Sequence, residues 1–171
     1  MTLKIRIFSA MLASIVILSS GVFAGGETGQ IGIGLSATDA TPTFTLNFWL
    51  NNTMRMEPSL AIARLSPDGG DSYTRITPGL GYFYCLKPGS SIRPYFGARV
   101  LMDMSAFDGE TYTDYLAAPT IGAEYFFSDN FSVRGDYQVQ FIFANDNYSR
   151  NLPVGSTAIE TASFLGVNFY F

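Results

Sequence analysis

Four carboxylates and four guanidiniums stand out in this chain: Glu57, Glu124, Asp136 and Glu160 against Arg75, Arg93, Arg99 and Arg134. Each occupies a row of small or polar residues whose sequence neighbours are apolar, so in extended chain all eight project from one surface. Such a set suits either an ion path through a polar interior or a structural network of buried pairs. Unpaired charge is costly where water is scarce, so four of each sign on one surface favours the network. No catalytic role is assigned to it.

Other chemistry is excluded more than suggested. The chain has no histidine, which removes Ser-His-Asp triads, histidine metal sites and the commonest general base. No motif supports an aspartic or Ser-Lys mechanism, and no cofactor or metal is expected. Cys85 is the single cysteine, so no internal disulfide forms, and a thiol buried within a strand is expected. Asp68, Asp71, Asp103, Asp108, Glu110, Asp114 and Asp146 are read as outward loop charge. Carboxylate oxygens suit a divalent cation shared with lipopolysaccharide, but their spacing matches no calcium loop.

The elements that must carry these residues are strands. Eight alternating runs lie near 30–36, 42–50, 54–65, 73–86, 92–103, 114–127, 131–143 and 156–171. In the second run Phe44, Leu46, Phe48 and Leu50 oppose Thr43, Thr45, Asn47 and Trp49. In the fifth, Phe96, Ala98, Val100 and Met102 oppose Arg93, Tyr95, Gly97 and Arg99. Short polar turns at 51–53, 87–91 and 128–130 alternate with longer connections near 37–41, 66–72, 104–113 and 144–155. That alternation fits turns on one side of a membrane and loops on the other, with both termini on the turn side. Pro58, Pro78, Pro94 and Pro119 fall inside the runs, where each deletes a ladder donor, and are expected near barrel rims or at bulges.

Alternation alone does not say which face is wet. The apolar rows carry no acidic residue in mid-run, and tyrosines and phenylalanines gather near run ends, where amphipathic rings suit a head-group belt. The last run, IETASFLGVNFYF, sets Ile159, Leu165, Val167, Phe169 and Phe171 on one face. Lys4, Arg6 and the apolar stretch 7–18, followed by Val22-Phe23-Ala24, read as a cleaved export signal over residues 1–24. About a dozen apolar residues are too few for a membrane helix, which needs about 20. Removing 24 of 171 residues leaves 147, enough for one domain, 25–171, bearing 8 basic and 14 acidic residues. A net charge of −6 without a basic run offers no footprint for nucleic acid.

Segments such as MRMEPSLAIA after a tight turn, IRPYFGARV, TIGAEYFFSDNFSVRGDY and the closing GVNFYF resemble the small eight-stranded outer-membrane β-barrels of the OmpX and OmpA transmembrane-domain type. The resemblance implies an all-β, antiparallel, up-and-down barrel with a packed lumen, since eight strands leave room for little besides side chains. It also implies that Phe171 is read by the barrel insertion machinery. Barrels of this size that act as lipid A acylases or deacylases use a histidine with no counterpart here. The expected protein is a non-enzymatic outer-membrane barrel of a Gram-negative bacterium, surrounded by lipid and lipopolysaccharide, with a structural or surface-interaction role. A narrow ion or small-solute pore, and an exported soluble barrel binding an apolar ligand, stay open as alternatives.

Overall fold

In the computed structural model the alternating runs form eight strands: β1 Ile31–Thr38, β2 Thr41–Trp49, β3 Met54–Leu65, β4 Tyr73–Cys85, β5 Ile92–Phe107, β6 Glu110–Ser128, β7 Phe131–Ala144 and β8 Thr157–Tyr170. The structure describes residues 26–38, 41–65, 73–107, 110–144, 153 and 155–171. The expected signal segment, residues 1–24, lies outside them, as do Asp68, Asp71, Asp108 and Asp146. Each strand pairs antiparallel with its sequence neighbour, and β1 pairs with β8 to close the ring. Closure satisfies every edge, as a sheet surrounded by lipid requires.

Side-chain alternation sorts the residues as the rows in the sequence imply. Outward rows are apolar and open: Leu165 is 69%, Ile121 62% and Val100 60% exposed. Among the described strands their one charged side chain is Arg64, next to last in β3. Inward rows hold the buried polar and charged residues, with Arg55, Glu57 and Glu124 at 0% exposure. Polar inside and apolar outside inverts the pattern of a soluble barrel.

Two expectations are corrected. The connection placed near 104–113 is mostly strand: β5 and β6 stay paired out to Phe107↔Glu110. Asp103 and Asp114, expected to face outward at the edges of that loop, are instead directly opposed partners on the inner face, both fully buried. The second correction concerns the prolines. Pro58, Pro78 and Pro119 lie well within β3, β4 and β6, away from rims and bulges. Their register survives, because the ladder lapses locally without shifting. It runs Thr45↔Ser59 and resumes at Phe48↔Met56, Ile76↔Met104 and resumes at Gly79↔Leu101, Ala117↔Phe141 and resumes at Thr120↔Gln138. Each proline keeps its pairing with the strand on its other side, so a missing N–H affects one seam only. Pro94 does sit near a rim, where its carbonyl accepts the Leu86 N–H at 2.8 Å. The bulge in the barrel lies elsewhere, where the β6–β7 register shifts between Phe126 and Ser128.

Candidate functional site

Among the described residues the charged side chains converge in the lumen, which is built in three levels. Nearest the short turns, β3 and β6 contribute Arg55 and Glu124, whose carboxylate is joined to the Arg55 Nη1 and the Ser132 hydroxyl. The same Glu124 Oε1 accepts from the Tyr170 hydroxyl at 2.7 Å and from Asn168 Nδ2 at 2.8 Å. Aromatic rings seal this level. The Arg55 guanidinium lies 5.0 Å from the Tyr95 ring centre and 5.4 Å from those of Trp49 and Phe83, and Phe126 stacks on Tyr170 at 5.6 Å. Cationic guanidinium over ring faces and carboxylate among donors leave this half of the lumen filled. The chain before β1 folds against the same end, with Gly29 N–H donating to the Trp49 carbonyl at 2.7 Å and Gln30 Nε2 to that of Asp129 at 3.3 Å.

The middle level is a four-residue cluster. Glu57 accepts from Arg99 Nη2 at 2.7 Å and from Arg134 Nη1, and Arg55 Nη2 approaches at 3.5 Å. Arg99 Nη2 also reaches Asp136 Oδ2 at 3.0 Å. One carboxylate therefore serves three guanidiniums, and one guanidinium serves two carboxylates. A network of this kind survives burial because each charge has an opposite charge within contact.

At the loop end the lumen opens. Arg75 donates to both Asp103 oxygens, through Nε to Oδ1 at 2.6 Å and through Nη2 to Oδ2, and the Thr77 hydroxyl joins Oδ1 at 3.1 Å. Below lies a cavity of about 380 Å³ whose lining includes Arg75, Arg99, Arg134, Gln140 and Glu160. Glu160 is exposed here, beside its cross-strand partner Gln140.

The structure thus brings Glu57, Arg99, Arg134 and Asp136 into one cluster, places Glu124 in the level beneath and Arg75 in the level above, and sets Glu160 at the open mouth. Arg93 departs from the expected pairing. It donates Nε to the Ser90 carbonyl at 3.0 Å and lies over Phe126 at 4.4 Å, without an ion pair to a carboxylate among the described residues. Arg55 and Asp103 were missed, although both were legible. Arg55 is two residues before Glu57 in the same row, and Asp103, the last residue of the fifth run, is four beyond Arg99 in the same row, obscured only by the turn-like acidic residues that follow it. No group of three or more histidine, cysteine or acidic side chains arranged for a metal occurs among the described residues.

No protein-family model matches this sequence, and no curated protein sequence matches it. Among solved structures the fold is similar to Neisserial surface protein A, with TM-score 0.56 and 14% identity over 83% of this chain and 94% of that one. It is also similar to the N-terminal β-barrel domain of Pseudomonas aeruginosa OprF, with TM-score 0.53 and 16% identity over 84% and 98%. The outer membrane protein OprG from Pseudomonas aeruginosa gives TM-score 0.50 and 14% identity over 87% and 99%. The chain has the fold of the small eight-stranded outer-membrane β-barrels.

Proposed function

We propose that this protein is an integral, non-enzymatic outer-membrane barrel of a Gram-negative bacterium, with both termini periplasmic and a structural or surface-interaction role carried by its loop end. The observation that supports this reading is the inverted polarity of the wall. Large apolar side chains stand open around the whole perimeter while the linked charges of the lumen, from Arg55 and Glu124 to Arg99 and Asp136, are buried within. Such a surface is stable only when sheathed by lipid; in water it would be a continuous apolar belt, which argues against the exported soluble barrel. Lipid and lipopolysaccharide are then its immediate surroundings, and β8 together with the following Phe171 is the segment offered to the insertion machinery.

The pore alternative is weakened by the filled turn-end half, where Trp49, Arg55, Phe83, Phe126 and Tyr170 are each no more than 1% exposed. The lumen is better described as a cup, open toward the loops and closed toward the turns.

The test is cell fractionation with a gel comparison of boiled and unboiled samples, joined to labelling of intact cells. In a Cys85→Ser background, an impermeant maleimide is expected to label Thr157→Cys, at the loop end of β8, and to spare Asn130→Cys in a turn. Recovery of the protein from the soluble periplasm would overturn the membrane reading, and labelling of Asn130→Cys alone would reverse the orientation.

A further inference from the structure

We propose that the recess beside the β4–β5 turn is a binding site for the phosphate-bearing head group of a membrane phospholipid in the leaflet at the turn end, an inference that rests on the membrane reading above. The recess holds about 360 Å³ and is lined by Lys87, Ser90, Ser91, Ile92, Pro94 and Tyr125. Its two halves differ in chemistry. Ile92 and Tyr125 are cross-strand partners in the outward rows of β5 and β6, 54% and 42% exposed, with Pro94 in the same outward row of β5. Lys87, Ser90 and Ser91 belong to the turn itself and add an ammonium and two hydroxyls. An apolar wall that continues the lipid-facing surface, capped by a cation and hydroxyl donors at the membrane boundary, complements an amphiphile with an anionic head.

Charge singles out this turn. Lys87 is the only lysine beyond residue 24 in a chain whose mature part is acidic. The turn at Asn51–Thr53 carries no charge, and that at Asp129–Asn130 is acidic. The remaining basic residues of this half, Arg55 and Arg93, are buried in the lumen. Lys87 is therefore the one cation offered to the turn-end perimeter among the described residues. The turn is also well held: Gly89 adopts φ +77°, a conformation that favours glycine. The Ser90 carbonyl takes the Arg93 Nε, and the Ser91 carbonyl takes the Phe126 N–H at 2.8 Å. A lysine on a pinned turn loses less freedom on meeting a phosphate than one on a loose loop. Free inorganic phosphate would use only the polar half of the recess. The apolar half favours a lipid.

The experiment is native mass spectrometry of the protein refolded in uncharged detergent micelles, titrated with phosphatidylglycerol or with a diacylglycerol of the same chains. Wild type is expected to retain one phosphatidylglycerol in preference to diacylglycerol. Lys87→Gln should lower that retention about five-fold, the size expected for one lysine at an anionic surface, and Arg64→Gln, at the opposite end of the barrel, should leave it unchanged. Equal retention by wild type and Lys87→Gln, an equal loss in Arg64→Gln, or full competition by millimolar inorganic phosphate would each overturn the proposal. Heat-dependent gel migration confirms that each variant is folded. A variant that fractionates with membranes yet keeps its lipid refutes this site alone, whereas soluble wild type refutes the membrane reading beneath it.

Discussion

Arg99 Nη2 stands 2.7 Å from Glu57 Oε1, tying β5 to β3 through the middle of the barrel with both side chains almost wholly buried. The same nitrogen reaches Asp136 on β7 at 3.0 Å. Replacing Arg99 with Ala leaves Asp136 without its guanidinium, while Glu57 keeps Arg134 and Arg55. Breaking a buried pair in this way costs about 3–5 kcal/mol, to be read from urea unfolding in detergent micelles. Adding Asp136→Asn to Arg99→Ala should recover part of the loss, because the stranded charge is removed. Unchanged stability of Arg99→Ala would show that the cluster is hydrated.

Two glycines offer a matched comparison. A Cβ on Gly97 would meet Phe83 Cα at 2.9 Å and crowd the Tyr82 carbonyl, both backbone atoms of the adjoining strand, whereas one on Gly135 would meet nothing within 4 Å. Gly97→Ala is expected to destabilise the barrel by about 1–3 kcal/mol, the usual range for overpacking. Gly135→Ala should be nearly neutral. The same unfolding titration decides, and equal effects would show that the wall at Gly97 yields.

Conductance tests the closed end of the cup. The ring cluster of Trp49, Phe83, Tyr95, Phe126 and Tyr170 fills the lumen around Arg55. Wild type in planar bilayers should therefore show no sustained channel current. Steady single-channel openings would mean that these side chains part in the membrane.

Cys85 is 1% exposed and packs in the same aromatic cluster. In folded protein it should resist a bulky maleimide, reacting at a rate that follows unfolding as urea is raised. Rapid labelling without denaturant would place the thiol at a wet surface and contradict the sealed end.

Phe171 is 75% exposed and attached by its N–H to the Ile31 carbonyl at 2.9 Å, while Tyr170 is the ring buried in the lumen. Deleting Phe171 removes little packing. Refolding into micelles should stay nearly normal while outer-membrane yield in cells falls. Equal yield would reduce Phe171 to one more ring of the aromatic belt.

Strand number and the two rows were legible from residue alternation, whereas the up-and-down order rested on the short and long connections and on the resemblance. A period of two assigns each side chain to a face, and that is local information carried by every run from Phe44 to Phe169. The polarity of those faces was equally local, so the inward direction of Glu57, Arg99, Arg134 and Asp136 was legible before any coordinates. Which charge meets which was not. Glu57 joins Arg134, 77 positions away, and Arg75 meets Asp103 instead of any of the four expected carboxylates, because partners across a lumen depend on register, barrel tilt and side-chain reach together. Only closure of the ring could reveal that Arg93 rests on Phe126, that three prolines are absorbed by one-sided lapses of the ladder, and that Asp103 and Asp114 lie inside a hairpin longer than its turn-like residues suggested. Those outcomes are settled by what faces each residue across the fold, and alternation along a single strand contains no record of it.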